Sequence, residues 1–95
     1  MRTRFTAVAL RDLKAIADWI AADRPNAARK IVGGLREACE ALADRPYAFA
    51  RLDGYEARGV RRAPYSRYVI CYRVEEHDVL ILRVFDGARD IPSLL

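Results

Sequence analysis

Tyr68-Val69-Ile70-Cys71-Tyr72-Arg73-Val74 and Val79-Leu80-Ile81-Leu82-Arg83-Val84-Phe85 are two runs dense in β-branched and aromatic residues, separated only by Glu75-Glu76-His77-Asp78. Such side chains suit a pleated surface, and a short charged link between two such runs predicts a hairpin. With Val74 opposite Val79, the expected pairs on one face are Tyr72 with Ile81, Ile70 with Arg83 and Tyr68 with Phe85. Val69, Cys71, Arg73, Leu80, Leu82 and Val84 then occupy the other face. Both faces are largely apolar, so both need cover. Two helices can serve one of them. The other is covered by the preceding loop or by the C-terminal Ile91-Pro92-Ser93-Leu94-Leu95, or else it is an apolar patch that takes a partner protein.

Upstream of these runs, a further strand is expected near Arg58 to Arg62, followed by a turn at Ala63-Pro64-Tyr65-Ser66. Residues 46–57 show no sustained period and carry a turn signal at Asp53-Gly54. Before them, Ala28, Ile31, Val32, Leu35, Cys39 and Leu42 keep helical phase for four turns, opened by Pro25 at a first-turn position and closed by Asp44-Arg45-Pro46. Gly33-Gly34 should cost roughly 1 kcal/mol each relative to alanine. Because the apolar phase survives across them, the spacing predicts one continuous helix closely approached by a neighbour. An earlier helix carries Leu10, Leu13, Ile16, Ala17 and Ile20 on one face, with Thr6 able to cap it through its hydroxyl. A weak strand candidate, Thr3 to Thr6, precedes it. The expected class is α+β: an N-terminal strand, an antiparallel helical hairpin and a three-stranded antiparallel sheet, in one domain spanning residues 1–95.

Of the 17 basic residues 15 are arginine, and the formal charge is +4. Arginine presents a planar fork of donors that fits carboxylate or phosphate, so an acidic partner, protein or nucleic acid, is expected. Biased codon usage in a GC-rich genome inflates arginine as well, so charge by itself does not choose. Cys39 and Cys71 fall on apolar faces, one in a helix and one in a strand, and are expected to be free core thiols. No apolar stretch approaches the length of a membrane span or a signal sequence, which leads to an expectation of a cytoplasmic protein.

Candidate catalytic groups are few. His77, the one histidine, sits in an acidic hairpin turn without companions suited to a metal, and the two cysteines form no closely spaced pair. Ser66 and Ser93 lack a glycine elbow and a base. Neither a metal nor a cofactor is expected. What remains is an arginine and tyrosine set around the strands: Arg58, Arg61, Arg62, Tyr65, Arg67, Tyr68, Arg73, Arg83 and Arg89. Arginines hold phosphate and tyrosines stack on unpaired bases, yet the same types favour protein interfaces, and strand alternation turns some of them inward.

The order of segments resembles the RelE/ParE toxin superfamily over essentially the whole chain. The matching pieces are Asp12-Leu13 with Ile16 beyond, Ala27-Ala28, Leu42 followed by Pro46, Gly59-Val60-Arg61, the strand Ile70 to Val74, and Ile81-Leu82-Arg83-Val84 leading to Gly87-Ala88-Arg89-Asp90. The arginine-valine steps and the glycine-alanine-arginine-aspartate ending are closest to the ParE branch, although Asp86 stands where that branch often has histidine. Members of the RelE branch resemble ribosome-dependent mRNA endonucleases. Here Val69 falls where they carry an arginine, Leu95 where they carry a tyrosine, and Arg89 alone matches. Loss of a general acid or base forfeits about 10²–10⁴-fold in rate. The resemblance therefore implies a non-enzymatic toxin of a type II toxin-antitoxin system that inhibits DNA gyrase, with mRNA cleavage on the ribosome as the alternative, through Arg61, Arg89 and Tyr65 or Tyr68. Candidates for target contact are Arg58, Arg61, Arg62, Tyr65, Arg83 and Arg89. The implied partner is an acidic antitoxin that folds onto the helical hairpin or adds a strand to the sheet edge, giving a hetero-oligomer. Leu13, Ile16, Trp19 and Ile20 are candidates for its contact. Trp19 lies beside the main stripe of its helix, either as an anchor for that partner or packed against the second helix near Gly33-Gly34.

Overall fold

A computed structural model describes residues 1–88. The chain runs through β1 (Arg2–Phe5), α1 (Ala7–Ala21), α2 (Pro25–Ala41), a single 3-10 turn (Glu56–Arg58), β2 (Val60–Tyr65), β3 (Tyr68–Val74) and β4 (Asp78–Asp86). The strands form one sheet in the order β1-β4-β3-β2, with β1 parallel to β4 and the other pairs antiparallel. The expected α+β architecture is present, and the N-terminal strand joins the sheet beside the last one. No described helix is long and apolar enough to cross a membrane.

Thr6 caps α1 as its position predicts: its hydroxyl oxygen accepts from the Ala9 N–H at 3.0 Å. The same hydroxyl donates to the Leu82 carbonyl at 3.0 Å, tying the start of the helix to β4. Pro25 opens α2, where a missing N–H leaves no bond unmade. After Ala41, bonds of the i to i+3 type from Leu42, Ala43, Asp44 and Arg45 tighten the chain into Pro46. α2 is unbroken at Gly33-Gly34. A Cβ on Gly34 would collide with the Tyr65 hydroxyl and stand 2.8 Å from its Cζ, whereas one on Gly33 would meet nothing within 4 Å. The close neighbour is thus β2, and it explains one glycine of the pair.

The hairpin of helices covers one sheet face. Ala9, Leu13, Leu35, Cys39 and Leu42 pack there with Ala63, Tyr68, Ile70, Tyr72, Val79, Ile81 and Val84. On the opposite face Val60, Val69, Cys71 and Phe85 meet Leu52, with Tyr55 and Leu82 at the margin. Among the described residues, the loop between α2 and β2 supplies the cover for the second face, through Leu52 and Tyr55. It also pairs its backbone with the edge of β2, through Leu52 N–H to the Val60 carbonyl at 2.8 Å and Arg62 N–H to the Ala50 carbonyl at 3.1 Å. Beyond that patch Pro64 leaves the edge without an N–H, a common way to blunt an edge strand.

Two expectations for the strands are corrected. The hairpin register holds from Val74 opposite Val79 to Tyr72 opposite Ile81, then shifts by one at a bulge, so Ile70 meets Val84 and Tyr68 meets Asp86. Leu82 is the extra residue, and Val84 and Phe85 thereby change faces. The strand expected near Arg58 to Arg62 is also displaced toward the C-terminus, as β2. Residues 56–58 form the 3-10 turn, Gly59 follows with φ 70° in the left-handed region, and β2 continues through Ala63-Pro64-Tyr65 to a turn at Ser66-Arg67. Ser66, with φ 54°, occupies the left-handed region that a two-residue hairpin turn demands.

Candidate functional site

β1 pairs with β4 only from Asp78 to Ile81, so backbone groups further along that side of β4 must find other partners. α1 pairs them. Thr6 takes the Leu82 carbonyl, and the Asp12 carboxylate accepts from the Val84 N–H at 3.0 Å. Asp12 also holds the Arg83 guanidinium at 2.7 Å and 3.1 Å, and this bond raises the Arg83 pKa. Beside this clamp a groove of about 550 Å³ runs between α1 and the far ends of β3 and β4. Ala15, Ile16 and Trp19 wall it on the helix side; Tyr68, Val84 and Phe85 line the sheet side; Arg67 and Asp86 pair with each other at its end, 2.9 Å apart. With Arg83 held by Asp12 and Arg67 by Asp86, the rim charges are compensated, and what the groove offers is apolar surface.

Trp19 is 81% exposed, so its ring does not pack against Gly33-Gly34 but stands free at the groove. Ile16 is half-buried beside it. Leu13 and Ile20 are buried in the core, which occupies their side chains. Ala15, Tyr68 and Phe85 also line the groove, and none of them was a candidate for antitoxin contact in the sequence, because which strand residues end up beside a given helix depends on the strand register.

The target-contact candidates do not converge on one place. Register sets Arg61 opposite Tyr72 and Arg62 opposite Cys71, hence on opposite faces. Arg61 donates to the Phe49 carbonyl at 2.7 Å and lies 5.1 Å from the centre of the Tyr47 ring. Arg58 stands over the Tyr55 ring at 5.5 Å. Tyr65 packs against Gly34, and Arg83 is taken up by Asp12. Arg89 lies outside the described residues, as does the C-terminal stretch 91–95. His77 projects from the β3–β4 turn beside Glu76. Both cysteines are free and buried; burial pushes the Cys39 thiol up to about 12 and that of Cys71 to about 11, which keeps them protonated and poor nucleophiles at neutral pH. Burial also raises the Tyr72 pKa; its hydroxyl donates to the Pro46 carbonyl at 2.9 Å.

A parallel first strand, a helical hairpin on one face and a bulged antiparallel hairpin at the centre define a toxin of the RelE/ParE class. Residues 3–91 match the model of the ParE toxin of type II toxin-antitoxin systems (parDE), and the chain belongs to that family. Among solved structures it is similar to a chain of the chromosomal ParDE toxin-antitoxin system from P. aeruginosa, at 27% identity and TM-score 0.78, covering 90% of this chain and 95% of that one. It is also similar to a chain of the RelBE2 toxin-antitoxin complex from Mycobacterium tuberculosis, at 26% identity and TM-score 0.68 with the same coverage. A conserved hypothetical protein from Helicobacter pylori, at 12% identity and TM-score 0.60 over 94% of this chain and 97% of its own, shares the fold. No curated protein matched.

Proposed function

We propose that this ParE-family toxin inhibits DNA gyrase by binding, without chemistry of its own, and that a cognate acidic antitoxin neutralises it. The observation that carries the first part is Val69. At the position where the nuclease branch has an arginine, this chain has an apolar residue 4% exposed, packed with Leu52, Val60, Cys71 and Phe85 beneath the loop. The tyrosines that an endonuclease would draw on are also engaged elsewhere, Tyr68 in the core and Tyr65 against Gly34. For the antitoxin, support comes from the exposed Trp19 at an apolar groove, and from the solved relatives, which are toxin-antitoxin systems. A large aromatic beside an apolar trough is a typical anchor for a partner helix.

The test incubates the purified protein with gyrase, supercoiled plasmid and ATP, then looks for linear DNA after detergent and protease. Linear product is expected, relieved by the antitoxin for the parent protein but relieved at least tenfold less efficiently for Trp19→Ala. Unchanged supercoiling and cleavage with folded protein would sink the gyrase reading, and cuts in a defined mRNA on translating ribosomes would replace it with the nuclease one.

A further inference from the structure

Arg2, Arg4, Arg67, Arg73 and Arg83, spread around the strands, each sit against a carboxylate. Arg45, Arg51 and Arg61 have no such partner among the described residues. Arg51 and Arg61 are also neighbours. They are bridge partners where the loop pairs with β2, and partners across a bridge project to the same side of a sheet. The bond from Arg61 to the Phe49 carbonyl fixes its guanidinium over one face of the Tyr47 ring. Tyr47 is 67% exposed, and exposed Arg45 lies two residues before it. Arg62 belongs to the opposite face and is no part of this group.

An exposed ring backed by the Arg61 guanidinium, with Arg51 on the same side of the sheet and Arg45 two residues away along the chain, matches the two features of a single nucleic-acid strand, its phosphates and its π-faces. An acidic peptide would use the arginines but would leave the ring idle. We propose that Tyr47, Arg45, Arg51 and Arg61 form a binding surface for an unpaired DNA strand, with a base stacked on Tyr47 and phosphates held by the arginines. The choice of DNA over RNA rests on the gyrase reading, in which the toxin works beside cleaved DNA. The surface itself is measured without gyrase, so the two ideas can fail separately.

The experiment is fluorescence anisotropy of a short labelled oligodeoxythymidylate with the full chain over a salt series. Tyr47→Ala is expected to weaken binding about tenfold, and Tyr47→Trp to preserve it. Arg51→Gln should lower the slope of log affinity against log salt by about 0.7, the share of one phosphate contact to a single strand. Arg24→Gln, an exposed charge at the head of α2, should change neither. The proposal is overturned by undetectable binding, by equal losses in the Arg24 and Arg51 variants, or by binding that survives Tyr47→Ala. Tighter binding of oligouridylate, or equal competition by polyglutamate, would overturn it as well. All of these positions are exposed, and circular dichroism matching the parent checks that each variant is folded.

Discussion

At the scale of single residues, Asp12 does more than its place on a helix surface suggests. One carboxylate oxygen receives both the Val84 N–H and the Arg83 Nε, and the other receives Arg83 Nη2, so a single side chain satisfies a guanidinium and a backbone donor of β4 beyond the end of β1. Both side chains keep less than a fifth of their exposure. Breaking a fully buried pair by removing one partner costs about 3–5 kcal/mol, and the residual exposure here lowers the expectation for Asp12→Ala to about 2–3 kcal/mol. Urea denaturation would show it; a loss under about 0.5 kcal/mol would mean that water replaces the carboxylate. Replacing both partners together, Asp12→Leu with Arg83→Met, should cost less than Asp12→Ala alone, because no charge is left stranded. In the sequence Asp12-Leu13 was legible only as a piece of the family resemblance, since the partners of Asp12, Arg83 and Val84, lie about seventy residues further on.

At the scale of elements, the glycine pair of α2 separates two effects that sequence alone merges. Gly33→Ala should raise stability by roughly 1 kcal/mol through helix propensity, as nothing stands where its Cβ would go. Gly34→Ala gains the same propensity but drives a methyl into the Tyr65 ring, so its midpoint in thermal melts should fall below that of the parent. Equal shifts for the two variants would show that Tyr65 swings aside freely. Phase across Pro25 to Leu42 made the helix legible, and β-branched density did the same for β3 and β4. The bulge at Leu82 was not legible because Val79 to Phe85 is apolar on both parities, and a strand with two apolar faces does not announce its register. Pro64 misled for a similar reason: it signals a turn, yet on an edge its absent N–H is no loss. For the candidate surfaces the arginines could be enumerated, but Arg61 and Arg62 were not assigned to faces, and Tyr47 went unnoticed in a stretch with no period to give it context.

At the scale of the whole molecule, one sheet separates two apolar layers, and each buries one thiol, Cys39 under the helices and Cys71 under the loop. Their pKa values are raised from an ordinary value near 9 to about 12 and about 11, so the folded form holds protons that the unfolded chain releases. The contribution to stability is intact below pH 9 and is lost as pH rises through the folded values. Denaturant titrations should therefore find stability falling between pH 9 and about 11, by up to roughly 1.4 kcal/mol per pH unit for each thiol. Cys71→Val, close in volume and suited to a strand, should flatten that fall; an unchanged slope would assign it to other groups. The loop from Phe49 to Gly59 has a consequence for anyone who wishes to modify the protein. Long surface loops are the customary place to insert a tag, a reporter or a cleavage site. This one seals an apolar layer and the sheet edge at once, so foreign sequence placed there would open the interior. Room for cargo lies instead at the Glu76-His77 tip, whose side chains are more than four-fifths exposed and belong to neither layer.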